Sequence, residues 1–127
     1  MNDSARSTAA KIAQSFRNAF AGIAYVFQTQ RNVRIHVIIS LGVVFLGLLL
    51  RITSADWAIL ILAMMVVWVA EFINSAIEAH VDMTTPYENA GAKVVKDIAA
   101  AAVLIGAFGA VVVGLLILGP PLAEKIF

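Results

Sequence analysis

Five polar residues in the middle of an otherwise apolar stretch have the types and spacing to do chemistry. Taking Glu71 as zero and about 100° per residue on a helix, Asn74 falls near −60°, Ser75 near +40°, Glu78 near −20° and Asp82 near +20°. All five share one face. Glu71 follows fourteen uncharged residues, Trp57 to Ala70. A charge placed in mid-membrane costs about 2.5–3.5 kcal/mol or more, and such residues usually serve function. A partly desolvated carboxylate suits a general base. Glu78 and Asp82 stand at i and i+4, a repulsive pair unless a cation lies near. A divalent metal or a neighbouring lysine would remove the repulsion. The competing reading is a helix-end carboxylate that reaches water, paired with Lys93 or Lys96.

Lys93 and Lys96 lie one turn apart just before the last apolar stretch, with Asp97 beside them. They can hold phosphate oxygens, or act only as topology signals and solvated charge. His36 and His80 are the two histidines. With only these two no Ser-His-Asp arrangement can be proposed, and His36, which has no metal-ligand spacing, suits an interfacial hydrogen bond. No GxxxxGK phosphate loop and no protein-kinase signature occurs. Cysteine is absent, so thiol chemistry and thiolate metal sites are excluded. Spacing alone therefore reaches a membrane site with carboxylates near cations, and names no reaction.

The elements that must position this stripe follow from composition. Of 127 residues, 61% are hydrophobic and 13% charged, whereas soluble domains run near a quarter charged. So short a chain cannot hide that much apolar surface from water. The expected fold is an all-α integral membrane protein: three transmembrane helices and an N-terminal amphipathic surface helix, in one domain over 1–127. Residues 1–8 read as a polar tail without a secretory signal. Over 9–28, Ile12, Phe16, Phe20, Ile23 and Phe27 form a stripe roughly 80° wide, as in a helix lying on a membrane surface. Residues 30–36 read as a polar hinge. The spans are expected over 35–52, 57–82 and 88–118, near the roughly 20 residues that cross a hydrocarbon core. Ser54 is the expected cap of the second span, and Trp57 and Tyr87 are expected interfacial anchors. Pro86 disfavours helix at Thr85. Gly106, Gly109 and Gly114 suit close helix contact, and Gly119, Pro120 and Pro121 are expected to stop the third span.

Cations set the expected orientation. Seven of the nine lie before the first span or between the second and third, leaving Arg51 and Lys125 on the other side. This predicts a cytoplasmic N-terminus and an outside C-terminus. The net charge of +1 gives no reason to expect nucleic-acid binding.

The run Glu71-Phe72-Ile73-Asn74-Ser75-Ala76-Ile77-Glu78, then Val81-Asp82 and Ala92-Lys93-Val94-Val95-Lys96-Asp97, resembles the signature of the prokaryotic diacylglycerol kinase family, which includes undecaprenol kinases. Arg31-Asn32-Val33-Arg34-Ile35-His36 resembles the family's stretch before its first span. The resemblance runs from about Phe16 to Gly119 and implies more than periodicity does. It implies a homotrimer in the inner (plasma) membrane that transfers the γ-phosphoryl of ATP to a lipid hydroxyl at the cytoplasmic interface, with Mg2+. By motif position, Glu71 resembles the catalytic base and Glu78 a metal-binding carboxylate. Asn74, Asp82, Glu88, Asn89, Lys96 and Asp97 match positions around the nucleotide, and Lys11 and Asn18 match an N-terminal contact region. One departure stands out. The family's second metal carboxylate falls at Gln30, and a neutral amide there removes a negative charge that a hard cation favours.

Three functions compete. A lipid kinase acting on undecaprenol or diacylglycerol fits the motifs, and the Arg-Asn-Val-Arg-Ile-His and Ala-Lys-Val-Val-Lys-Asp forms lean towards undecaprenol. A catalytically impaired, non-enzymatic oligomer that binds nucleotide or lipid is motivated by Gln30; absence of lipid phosphorylation at high magnesium would favour it. An ion-conducting bundle is disfavoured, because the stripe occupies one end of one span.

Overall fold

The structure, a computed structural model, describes residues 3–126, with side chains over 8–126. Met1 and Asn2, the start of the expected polar tail, lie outside the described residues. Four helices follow one another: α1 (Asp3–Thr29), α2 (Arg31–Leu50), α3 (Ser54–Thr84) and α4 (Ala90–Ile126). The chain divides into two units, Met1–Arg31 and Asn32–Phe127.

In the first unit, helix begins at Asp3, so most of the expected tail is helical. The apolar stripe of α1 stays open: Ile12, Phe16, Phe20 and Ile23 are all exposed. Local bonds knit the helix surface, including Gln14 Nε2 donating to Asn18 Oδ1 at 2.9 Å and Ser15 Oγ donating to the Lys11 carbonyl at 3.0 Å. The expected polar hinge shrinks to one residue, Gln30, whose N–H still donates to the Val26 carbonyl. Residues 31–36 are helical because nothing there forbids it: the segment contains neither glycine nor proline.

In the second unit, α2, α3 and α4 are each long and apolar enough to cross a membrane. Most of their large apolar side chains are exposed, which suits lipid as solvent. α3 and α4 pack together, and Gly106 lets the helices close: a Cβ built there would stand 3.7 Å from Val66 Cγ1 and 4.0 Å from the Val67 Cα. Gly109 and Gly114 do not share this role, since a Cβ at either meets nothing within 4 Å. A cavity of about 320 Å³ lies among the three helices, bordered by His36, Ser40 and Trp68 and by small residues of α4 such as Ala107 and Gly114.

The turn between α2 and α3 is a Schellman motif. Ile52 N–H donates to the Gly47 carbonyl and Arg51 N–H to the Leu48 carbonyl, each at 3.3 Å, satisfying carbonyls that a helix end leaves orphaned. Arg51 takes the left-handed conformation at φ 53°, a position glycine usually fills. Lys125 Nζ from the end of α4 donates to the Leu49 carbonyl at 3.1 Å. Thr53, not Ser54, caps α3. Its hydroxyl accepts from Asp56 N–H at 3.2 Å, and Asp56 Oδ2 accepts from Thr53 N–H at 3.1 Å. This reciprocal pair needs an acidic residue three places after the cap. Asp56 supplies it for Thr53, whereas Trp57 stands in that place for Ser54.

α3 ends at Thr84, as Pro86 requires. α4 differs from expectation at both ends. It starts at Ala90, and it runs through Pro120 and Pro121 to Ile126. A proline deletes one backbone donor and crowds the preceding turn, yet membrane helices tolerate it when neighbours satisfy the freed carbonyl.

Candidate active site

The five-residue stripe on α3 is real, and it runs from buried to open. Glu71, Asn74 and Ser75 are 2%, 6% and 2% exposed, whereas the Asp82 side chain is 66% exposed. Each member has a different neighbour. Ser75 Oγ donates to the Glu71 carbonyl at 2.8 Å, so the hydroxyl is satisfied within its own helix. Asn74 Nδ2 donates to Glu78 Oε1 at 3.0 Å. Two buried acceptors then stand out among the described residues: Glu71 Oε1 and Asn74 Oδ1 have no hydrogen-bond partner. A buried acceptor left unmade costs about 1–3 kcal/mol, and such atoms in a native fold point to a ligand or a catalytic task.

Glu71 also has a close neighbour from another helix. His36 Nε2 lies 3.0 Å from Glu71 Oε1, but its N–H is not aligned into a hydrogen bond. One turn along, Trp68 Nε1 donates to Ser40 Oγ at 3.2 Å. The two ties join α2 to α3 at matched spacings, i and i+4 on α2, i and i+3 on α3. Sequence reasoning gave His36 an interfacial hydrogen-bonding role and did not place it against Glu71. Those paired polar spacings on two neighbouring apolar helices were the available signal.

At the open end, Lys96 Nζ meets Asp82 Oδ1 at 2.7 Å across α3 and α4. The neighbouring lysine, one of the two ways to relieve the Glu78–Asp82 repulsion, is therefore in place. Lys93 Nζ meets Asp97 Oδ2 at 2.6 Å along α4, with both side chains mostly exposed, so this lysine and Lys96 have different partners. An open groove of about 830 Å³ is lined by Asp82, Glu88, Asn89, Lys96 and Asp97, gathering five of the residues matched to the nucleotide. Asn89 is also a helix cap, its Oδ1 accepting from Gly91 N–H at 2.8 Å and Ala92 N–H at 3.1 Å. Lys11 and Asn18, seven residues apart, lie on one face of α1 in the first unit, and Gln30 sits at the joint between α1 and α2.

Among the described residues, no three His, Cys, Asp or Glu side chains cluster as a metal cage. That donor set still suits magnesium, which keeps several waters and is bound by one or two carboxylates plus substrate phosphates. Glu78 with the orphaned Asn74 Oδ1 beside it offers such hard oxygen donors.

A buried carboxylate within a membrane helix, with a charge-lined groove farther along the same helix, defines a helical membrane protein with a polar site on one of its spans. Residues 17–118 match the prokaryotic diacylglycerol kinase family, and the chain belongs to that family. Over 109 residues it is 43% identical to a diacylglycerol kinase of Synechocystis sp., covering 85% of this chain and 62% of that one. Over 109 residues it is 35% identical to the undecaprenol kinase of Bacillus subtilis, covering 86% of this chain and 89% of that one. The chain thus spans under two thirds of the Synechocystis relative and most of the Bacillus one.

Proposed function

We propose that this protein is an integral-membrane lipid kinase that transfers the γ-phosphoryl of ATP to the hydroxyl of a lipid alcohol, undecaprenol or diacylglycerol, at the membrane–water interface. The observation that carries the reading is the buried Glu71 oxygen without a hydrogen bond, on the same face of α3 as Asp82, which lines the charged groove with Lys96. Family membership and the names of the two relatives support the reaction class.

In this reading the Glu71 carboxylate takes the proton of the lipid hydroxyl. The freed oxygen pair forms a bond to the γ-phosphorus, the bond to the β–γ bridging oxygen breaks, and that pair leaves with ADP. Phosphoryl transfer needs positioning and charge neutralisation more than covalent help. Lys96 lies where it can offset phosphate charge, and the burial of Glu71 keeps bulk water from competing for the phosphoryl group. Glu78 and Asn74 would hold the magnesium that accompanies ATP, which when bound would offset phosphate charge; Gln30 is a second candidate ligand by motif position alone. The apolar stripe of α1 suits a helix lying in the interface, and Lys11 and Asn18 are candidate substrate contacts by motif position alone. The cation distribution supports a plasma-membrane orientation with the N-terminus and the α3–α4 connection cytoplasmic and the C-terminus outside. A homotrimer fits a single chain whose three spans leave most apolar surface uncovered.

The test is labelled ATP with purified protein in lipid discs and a panel of lipid alcohols. Wild type is expected to phosphorylate at least one of undecaprenol and diacylglycerol. Glu71→Gln is expected to lose about 10²–10⁴-fold, the usual worth of a positioned base, while remaining folded and assembled. Turnover undiminished in Glu71→Gln would remove Glu71 from this role.

A further inference from the structure

The His36 contact is unexplained by the steps above. Its Nε2 sits 3.0 Å from the orphaned oxygen of Glu71, and the two side chains are 20% and 2% exposed. The pair is close enough to bond and not aligned to do so. Catalytic hydrogen bonds in unliganded sites are often misaligned in this way and tighten when substrate arrives. The ring has room to turn, because the cavity of about 320 Å³ opens beside it. Packing alone does not require a histidine there. The Ser40–Trp68 bond already ties the same two helices one turn away.

We infer that His36 is the positioning residue for Glu71. When the lipid hydroxyl approaches the other carboxylate oxygen, Nε2–H turns onto Oε1 and fixes the plane of the carboxylate. One oxygen is then held by the imidazole and the other is presented to the hydroxyl proton. A histidine with its proton on Nε2 donates to a carboxylate whether the ring is neutral or charged, so the role needs no change of charge. The inference rests on the kinase reading with Glu71 as base, and its test separates the two.

The experiment compares wild type, Glu71→Gln, His36→Leu, His36→Gln and His36→Ala in lipid discs with ATP and the responsive lipid alcohol, with His80→Gln as a control for loss of an exposed histidine. His36→Leu is expected to lower kcat by about a hundredfold, the scale on which a misplaced catalytic group costs rate. KM values for ATP and lipid should stay within about twofold, because a group acting through the base leaves ground-state binding alone. His36→Gln, which keeps a donor in nearly the same place, should recover about tenfold of that loss, and added imidazole should raise kcat of His36→Ala. His80→Gln should match wild type. An independent readout is the ring nitrogen resonances of His36, which should shift in Glu71→Gln. Wild-type kcat in His36→Leu would overturn the positioning role, as would failure of both glutamine and imidazole to rescue. Unmoved ring resonances would show that the contact does not form, whatever the turnover. An inactive wild type whose His36 resonances still respond to Glu71→Gln would instead refute the kinase reading, and the positioning role with it.

Discussion

Replacing Gly47 by alanine tests the turn end of the α2–α3 pair, where the structure gives the steric outcome in distances. A Cβ at Gly47 would meet Trp57 Cη2 at 2.8 Å, Cζ2 at 2.9 Å and Ile52 Cδ1 at 3.2 Å, against ordinary contact from 3.4 Å. The indole must retreat by about 0.6 Å, and it is a rigid ring already seated against α2. Overpacking of this kind costs typically 1–3 kcal/mol, so about 2 kcal/mol is expected here. An opposite effect accompanies it, since alanine is favoured over glycine in a helix by about 0.8–1.0 kcal/mol. Gly42 separates the two. It lies on the same helix and a Cβ there meets nothing within 4 Å, so Gly42→Ala carries the propensity gain alone. Reversible denaturation in mixed micelles should therefore place Gly47→Ala below Gly42→Ala by roughly 1–3 kcal/mol. Trp57→Leu should shrink that gap in a double-mutant cycle, because the pair is in direct contact. Equal stability of the two alanine variants, or a gap that Trp57→Leu leaves unchanged, would show that the ring does not rest on Gly47.

Other outcomes concern the site and its turn. Arg51→Gly should raise stability by about 1 kcal/mol in the same denaturation assay, because glycine holds the left-handed position without a Cβ penalty. Lys96→Met should depress kcat or raise the KM for ATP while leaving the denaturation midpoint unmoved, since its partner Asp82 is largely solvated and such pairs add little to stability. Gln30→Glu should lower the magnesium concentration giving half-maximal turnover, by restoring an anionic oxygen that a hard cation favours.

The spans and the stripe were legible in the sequence because both depend on helical periodicity and apolar length alone. Glu71, Asn74 and Ser75 share a buried face as the angular count required, and Lys96 stands where a cation was needed. Helix ends were less legible, since each is decided by one or two side chains. Ser54 and Thr53 are both good caps, and only the Asp56 carboxylate chooses between them. Pro120 and Pro121 read as a stop from local rules, whereas the helix continues through them. The expected hinge over 30–36 rested on polarity, and polarity does not break a helix that contains no glycine or proline. His36 against Glu71 was the least legible feature. Joining two helices side by side depends on the turn between them, and a residue's helical angle says nothing about its partner on the next rod.

The Schellman turn therefore acts at a distance. From Leu50 back to His36 is 14 residues, and from Ser54 on to Glu71 is 17, so the two arms are roughly 21 and 26 Å long at about 1.5 Å per residue. Both are pinned at one end by Gly47, Arg51 and Thr53, and meet chemically at the other. Inserting or deleting one residue in either arm would swing everything beyond it by about 100°, carrying the imidazole or the carboxylate out of reach with every functional side chain still present. The number of residues in each arm thus decides whether the His36 ring and the Glu71 carboxylate meet at all.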